Sequence, residues 1–189
     1  MKAGVRALGV AESYREDTST LAGVVVRANR VVDGLAYATC TVGGTDSTTA
    51  IASLFEHLGR EDIRYLLVAG IAPAWFNVVD LHRLFELTGV PVLSVSFEAS
   101  DGLEDAIRDA FEGEAASRRL DLYHAQPARR PVVLGADTVY VRSVGLDDSE
   151  ANDVVRGFTP EGGRPEPLRV ARLAARSADA FRRNREEQH

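Results

Sequence analysis

The stretch LLVAGIAPAWFNVVD, residues 66–80, gathers the side chains with most to offer a ligand. An apolar run ends at Ala69 and Gly70, and Pro73, Trp75, Phe76 and Asn77 follow within one short connection. In α/β proteins the carboxyl end of such a run opens into the ligand crevice, the usual place for a catalytic acid or a phosphate-binding loop. Here the residue is Ala69. Exposed aromatic rings at Trp75 and Phe76 stack on a nucleobase, or serve instead as a staple for the helix that Asn77 caps. A helix opened at Asn77 would also turn its backbone N–H groups toward an anion. Gly70, Trp75 and Asn77 are therefore the ligand-binding candidates of this stretch.

A fourth candidate, Arg169, lies in RPEPLRVARL, residues 164–173, together with Arg172. Both are expected to lie toward the crevice. Arg169 either holds a phosphate through its two-pronged guanidinium or forms a salt bridge to Asp or Glu. Other chemistries find less support. His57, His82, His124 and His189 lack the HxH or HxxxH spacing of a zinc site. Ser13, Ser94 and Ser96 have no nucleophile-elbow context. The single cysteine, Cys40, excludes an intrachain disulfide, and its apolar surroundings in VDGLAYATCTV favour core packing over nucleophilic chemistry.

Composition narrows the partners. The 189 residues carry a net charge of −6, and among 22 basic residues Lys2 is the sole lysine. An acidic surface of this kind suits a salt-rich cytoplasm and argues against a large nucleic-acid footprint, which normally comes with a basic stripe. The densest basic run, Arg182, Arg183 and Arg185, reads as a solvated helix end. No window approaches the roughly 18 apolar residues of a spanning helix. The opening MKAGVRALGV is too quickly followed by Glu12, Arg15, Glu16 and Asp17 for a signal peptide. These features predict a cytoplasmic protein with no membrane attachment.

The elements that must position these residues fall into two halves. Residues 5–11, 20–27 and 31–42 read as three strands with short connections, hence an antiparallel meander, with Asp33 and Gly34 at a turn or bulge. The period then changes. Thr45, Asp46 and Ser47 offer caps for a helix carrying Ile51, Leu54, Phe55 and Leu58 and ended by Gly59. A strand (65–69), a helix (77–87), a strand (90–97) and a helix (102–112) follow, an alternation that predicts right-handed parallel crossovers. A strand from Asp137, a short helix from Asp148 or Ser149 to Arg156, and a terminal amphipathic helix from Pro167 complete the chain. Residues 113–136 and 157–166 are the predicted loops. Three antiparallel strands followed by αβαβα predict an α/β domain of the ribonuclease H-like class, a five-stranded mixed sheet between helices with one extra helix at the C-terminus, in a single domain spanning 1–189.

The segments AGIAPAWFNVVDLHRLFELTGVPV, VDGLAYATCTVGGTDSTTAIASL and RPEPLRVARLA resemble the archaeal domain of unknown function 99 family, which is in turn similar to endonuclease V. The resemblance runs from Arg6 to about Ala175. It implies a ribonuclease H-like fold and a magnesium nuclease ancestry in which acids at the ends of the first and fourth strands hold the metal. The family pattern Gly-Ile-Asp-Asp-Ser matches Gly9, Val10, Ala11, Glu12, Ser13, and Asp-Gly-Ile matches Ala69, Gly70, Ile71. Both central acids are thus alanine, Ala11 and Ala69. The basic residue of endonuclease V at the end of the fifth strand aligns near Phe97, and its Tyr-Pro-Gly wedge is replaced by Val42, Gly43, Gly44, Thr45.

The resemblance so read implies a domain without metal or other cofactor, not an enzyme, that binds nucleic acid or a nucleotide weakly or acts as an accessory protein. One alternative is a Mg²⁺-dependent nuclease whose site is rebuilt from Glu12, Asp46 and Asp80. Against it, Glu12 points to the opposite face from position 11, Asp46 is explained as a helix cap, and Asp80 and His82 are expected to face solvent. The other alternative is a protein-interaction module with a vestigial crevice.

Overall fold

The computed structural model describes residues 1–160 and 163–186. His189 and its neighbours 187–188 lie outside them. β1 (Arg6–Arg15), β2 (Thr18–Arg27) and β3 (Val32–Thr41) form the expected antiparallel meander. Val25 pairs with Gly34 and Val26 with Val32, so Asp33 is the unpaired extra residue of a bulge in β3. The bulge turns the Asp33 carboxylate onto three guanidinium groups, those of Arg6, Arg27 and Arg60.

After the meander, α1 (Ser47–Leu58), β4 (Ile63–Ala69), α3 (Leu81–Thr88) and β5 (Val92–Ser96) alternate, with β4 parallel to β1 and β5 parallel to β4. A one-turn element, α2 (Pro73–Phe76), sits between β4 and α3. Gly59 and Gly89 close α1 and α3 in the left-handed conformation that lacks a Cβ penalty. Then come α4 (Glu104–Ala110), α5 (Gly113–Ala125), β6 (Arg130–Leu134), β7 (Asp137–Val144), α6 (Asp148–Gly157) and α7 (Glu166–Glu186). The sheet order is β3-β2-β1-β4-β5-β7-β6.

Three expectations need correction. The sheet has seven strands rather than five, because the β6–β7 hairpin extends it antiparallel beyond β5. Residues 113–136 are not a loop: they hold α5, whose Ala116, Arg119 and Tyr123 are buried, and β6, a short strand at the sheet edge where Pro131 is tolerated. The helix expected from Asn77 begins only at Leu81. Its cap is Asp80, which accepts from the Arg83 N–H at 3.0 Å.

Alternation along the strands divides the core between the two faces of the sheet. Leu66 and Val68 of β4 pack with α1 and α3 residues such as Ile51, Leu54, Leu81 and Leu84. Leu67 of the same strand packs the other way with Leu93, Val154, Val155, Phe158 and Leu168 of β5, α6 and α7. α7 can lie this close over β1 because Gly9 has no side chain. A Cβ there would stand 2.3 Å from the backbone carbon of Pro167.

Candidate functional site

The carboxyl ends of β1, β4 and β5 come together at one edge, and the two faces of that edge differ. On the α7 face, Ala11 is only 4% exposed. It is packed with Val24, Val26 and Ala171, with Ala69, Val170 and Ala174 at the margin of the same cluster. Ala11 and Ala69 are therefore brought together as the parallel register requires, but under an apolar helix face. A hard divalent ion takes oxygen ligands, carboxylates above all. Methyl groups offer none, and these residues do not fit such an ion.

On the opposite face Glu12 has a structural partner set. Its Oε2 accepts from Ser19 Oγ at 2.6 Å and from the backbone N–H of Ala74 at 2.8 Å. That second bond holds an unusual turn. Ala74 (φ 48°, ψ 52°) and Trp75 (φ 53°, ψ 72°) wind left-handed, and Phe76 follows at φ 61°. Each such residue with a side chain costs roughly 1–2 kcal/mol, and β-carbon crowding makes three in succession rare. The turn persists because its surroundings fasten it at several points. Gly43 N–H donates to the Ala74 carbonyl at 2.7 Å, and Arg119 Nε donates to the Phe76 carbonyl at 3.2 Å.

Asn77, fully buried, is the bolt that ends the turn. Its Nδ2 donates to Asp46 Oδ1 at 2.7 Å and to the Thr41 carbonyl at 2.9 Å, and its Oδ1 accepts from Ser47 N–H at 3.0 Å. It neither caps α3 nor presents free donors to a ligand. Asp46 occupies the N-cap position of α1 without making the expected cap bond; its carboxylate accepts instead from the backbone and hydroxyl of Thr41 and from Asn77. Burial opposes the Asp46 charge, yet the hydrogen bonds from Asn77 and Thr41 outweigh it and hold the carboxyl below its ordinary value. Glu12, Asp46 and Asp80 thus serve a turn, a junction and a helix start. Among the described residues no group of three or more His, Cys, Asp or Glu side chains is placed to hold a metal ion.

The turn puts Trp75 on the surface, 47% exposed, its ring 5.1 Å from that of Phe111 and 6.3 Å from that of Phe76. Arg119 lies 3.8 Å over the Phe111 ring and donates to the Gly43 and Gly44 carbonyls. Gly43 is needed twice over: it sits at φ 66°, and a Cβ there would approach Trp75 to 3.0 Å. At the same carboxyl edge a cavity of about 270 Å³ opens between the β4 end and β5, β7 and α5, lined by Gly70, Ile71, Ser94, Ser96, Tyr123 and Arg142 among others. Ser94 is 3% exposed and its hydroxyl has no hydrogen-bond partner among the described residues. Arg142, 8% exposed, donates to Tyr123 Oη at 2.9 Å and to the Pro127 carbonyl. Gly70 lines the cavity at φ 80°.

Arg169, expected at the crevice, is instead held by Glu166 one turn back, through bonds of 2.6 and 2.7 Å. The salt bridge is the reading that the geometry takes. Cys40 is buried, and burial first, then the charges of Asp46 and Glu12, push its thiol up to about 12, well away from a nucleophilic thiolate. Arg119, Phe111, Tyr123 and Arg142 were not anticipated as site residues. Ala116, Arg119, Leu120 and Tyr123 do recur at helical spacing, a signal that could have found α5.

Comparison with known proteins accounts for this architecture. A UPF0215 protein of Thermococcus kodakarensis is 37% identical over 164 residues, covering 85% of this chain and 82% of that one. A UPF0215 protein of Pyrobaculum calidifontis is 33% identical over 178 residues, 89% of this chain and 93% of its own. Among solved structures, a protein of unknown function from Archaeoglobus fulgidus superposes with a TM-score of 0.82 at 26% identity, over 92% of this chain and 97% of that one. Human ENDOV superposes with a TM-score of 0.62 at 18% identity, over 92% and 83%. Ciona intestinalis endonuclease V, solved with a 24mer DNA containing an inosine followed by a ribo-adenosine, does so at 0.61 and 14%, over 93% and 86%. The last two establish the fold, which is that of endonuclease V. The family model for endonuclease dU matches residues 3–178, from before β1 into the middle third of α7, and the chain belongs to the endonuclease dU family.

Proposed function

We propose that this chain binds nucleic acid at the carboxyl edge of β1, β4 and β5, taking up a displaced base, and that it does not cleave by divalent-metal catalysis. The observation that carries the second half is the packing of Ala11 and Ala69 beneath Val170, Ala171 and Ala174. The first half is supported by the exposed Trp75 ring, set on a turn whose strain the fold maintains, and by the cavity at the same carboxyl edge. At about 270 Å³ that cavity falls just below the roughly 300–1,000 Å³ of drug-sized sites, so a single ring system is the natural occupant. The unpartnered Ser94 hydroxyl and the buried Arg142 supply polar groups for its edge. The family's description makes deoxyuridine in DNA the nucleotide to test first, and the Ciona structure shows a fold neighbour together with DNA. Localisation in the cytoplasm belongs to the same proposal; the structure itself contains no helix long and apolar enough to cross a membrane among the described residues.

The test is binding of fluorescent single- and double-stranded oligonucleotides carrying one deoxyuridine, with thymidine controls, in EDTA and again with Mg²⁺ or Mn²⁺. Binding in EDTA with preference for deoxyuridine is expected, without cleavage under either condition. Trp75→Ala should weaken it by about 1–3 kcal/mol, the usual worth of one stacked base. Strand cleavage that requires the added metal would overturn the non-catalytic reading. Absence of binding by either strand form would favour a protein-docking module.

A further inference from the structure

Most arginines described above have a carboxylate or a carbonyl to hold. Three at the site edge do not. Arg172 and Arg176 stand one turn apart on the same side of α7. Arg164, in the approach to α7, lies with its guanidinium 4.1 Å over the ring of Phe97, directly after β5. None of the three has a hydrogen bond or ion pair to another described residue, and all are exposed. They are nevertheless close enough to act on one another: burial, then the like charges of Arg176 and Arg164, push the Arg172 guanidinium below its ordinary value. The nearby Glu12 charge opposes this, but its Oε2 is already engaged by Ser19 and Ala74. A cluster of like charges that no carboxylate of the described residues engages is unfavourable to the free protein, and in a chain of net charge −6 it is not a product of general composition.

We infer that Arg164, Arg172 and Arg176 form a phosphate seat at the carboxyl ends of β1 and β5, doing with fixed guanidinium groups what the apolar Ala11–Ala69 cluster beneath α7 cannot do with a metal ion. The ligand class is a phosphodiester or a small polyphosphate. The inference deepens the nucleic-acid reading and rests on it for the backbone as occupant. Guanidinium suits the task because its planar fork matches phosphate oxygens in pairs and is weakly hydrated. Stacking on Phe97 fixes Arg164 before the ligand arrives. The base-sized cavity lies on the other face of the same sheet edge: Ser96 and Glu98, which flank Phe97 in sequence, line it, whereas Phe97 packs on the α6 and α7 side.

The decisive measurement is the salt dependence of binding to a labelled single-stranded 20-mer in EDTA. It compares the unaltered protein with the triple variant Arg164→Gln, Arg172→Gln, Arg176→Gln and with Arg169→Gln, whose guanidinium is committed to Glu166. The triple variant should lose at least tenfold in affinity, and its plot of log K against log salt should be shallower by about 2, three contacts at roughly 0.7 each. Arg169→Gln should match the unaltered protein in both. Equal slopes for triple variant and unaltered protein would overturn the seat. Should the unaltered protein bind no oligonucleotide, the nucleic-acid reading fails first. Calorimetry with inorganic pyrophosphate then decides the seat alone: heat of binding lost in the triple variant supports it, and no binding by the unaltered protein sinks it. Because all three side chains are exposed, a matching melting temperature will show that the variant is folded.

Discussion

Two groups of three arginines sit at different places in this molecule and live under opposite conditions. Arg6, Arg27 and Arg60 surround the single carboxylate of Asp33, which the β3 bulge turns toward them, with Asp62 in support. Arg164, Arg172 and Arg176 are bonded to no carboxylate among the described residues. In the first group hydrogen bonds from Arg27 and then Arg6 hold the Asp33 carboxyl far below the usual carboxylate range. In the second, burial and mutual repulsion lower Arg172. The same residue type therefore works as a structural clamp where a counter-charge is built in, and remains available where it is left out. Which role an arginine has is decided by its neighbours, and those neighbours come from distant parts of the chain.

The comparison can be broken most forcefully by placing a carboxylate beneath α7, on the side of the second group. Ala11→Asp places an acid under α7 among Val24, Val26 and Ala171, and an unpaired polar group there should cost roughly 2–5 kcal/mol, read by urea denaturation in EDTA. The same variant should bind the 20-mer more weakly. A stable Ala11→Asp protein would mean that α7 moves aside easily and that the cluster is no barrier to an acid.

A smaller effect is expected from Glu12, the carboxylate nearest the second group. Glu12→Ala leaves the Ala74 N–H and the Ser19 hydroxyl without their acceptor and should lower stability by about 1–3 kcal/mol. Glu12→Gln keeps an acceptor while removing the charge, so it should lose less stability and bind oligonucleotide more tightly. If Gln and Ala behave alike in both assays, the acceptor role assigned to Glu12 is wrong.

The smallest effect sharpens the first group. Asp33 and its partners are partly open to solvent, which screens them. Asp33→Asn should lower the melting temperature modestly at pH 7, while the triple glutamine variant of the second group leaves it level or raises it. The pH dependence has a definite sign. A depressed carboxyl stabilises the fold fully above its unfolded value, 3.8, and that contribution is lost as pH falls toward the folded value. The gap between Asp33→Asn and the unaltered protein should accordingly shrink below about pH 4. A gap that stays constant down to pH 2 would assign the effect to the bulge rather than to charge.

How much of this was legible in the chain varies with the physical origin of each feature. The meander and the parallel crossovers follow from apolar periodicity and from Gly59 and Gly89 as stops, and they stand as read. The β3 bulge was visible as Asp33-Gly34, but its three arginine partners were not, because Arg6 and Arg60 meet Asp33 only through strand pairing and chain return. α5 was missed because buried Arg119 carries its inner face alongside few aliphatic residues. The left-handed turn has no sequence signature at all. Ala, Trp and Phe do not prefer positive φ, and Asn77 resembles a helix cap until its side chain is seen crossing to Thr41 and Asp46. Of the candidate binding residues, Trp75 is exposed and Gly70 lines the cavity, whereas Asn77 and Arg169 are committed to Asp46 and Glu166.

The apolar lid over positions 11 and 69 also bears on the routes open to this lineage. A carboxylate at either position alone meets Val170, Ala171 and Ala174 before it meets a second ligand, so each first step toward a metal cup is uphill and brings no compensating ion. Recovering one would take coordinated changes in two strands and in a helix that follows them much later in the chain. Exposed arginines, by contrast, can be gained or exchanged one at a time with little effect on the fold. Whatever residues once stood at 11 and 69, the lid works as a ratchet: point mutations can retune how this edge holds an anion far more readily than they can return it to metal chemistry.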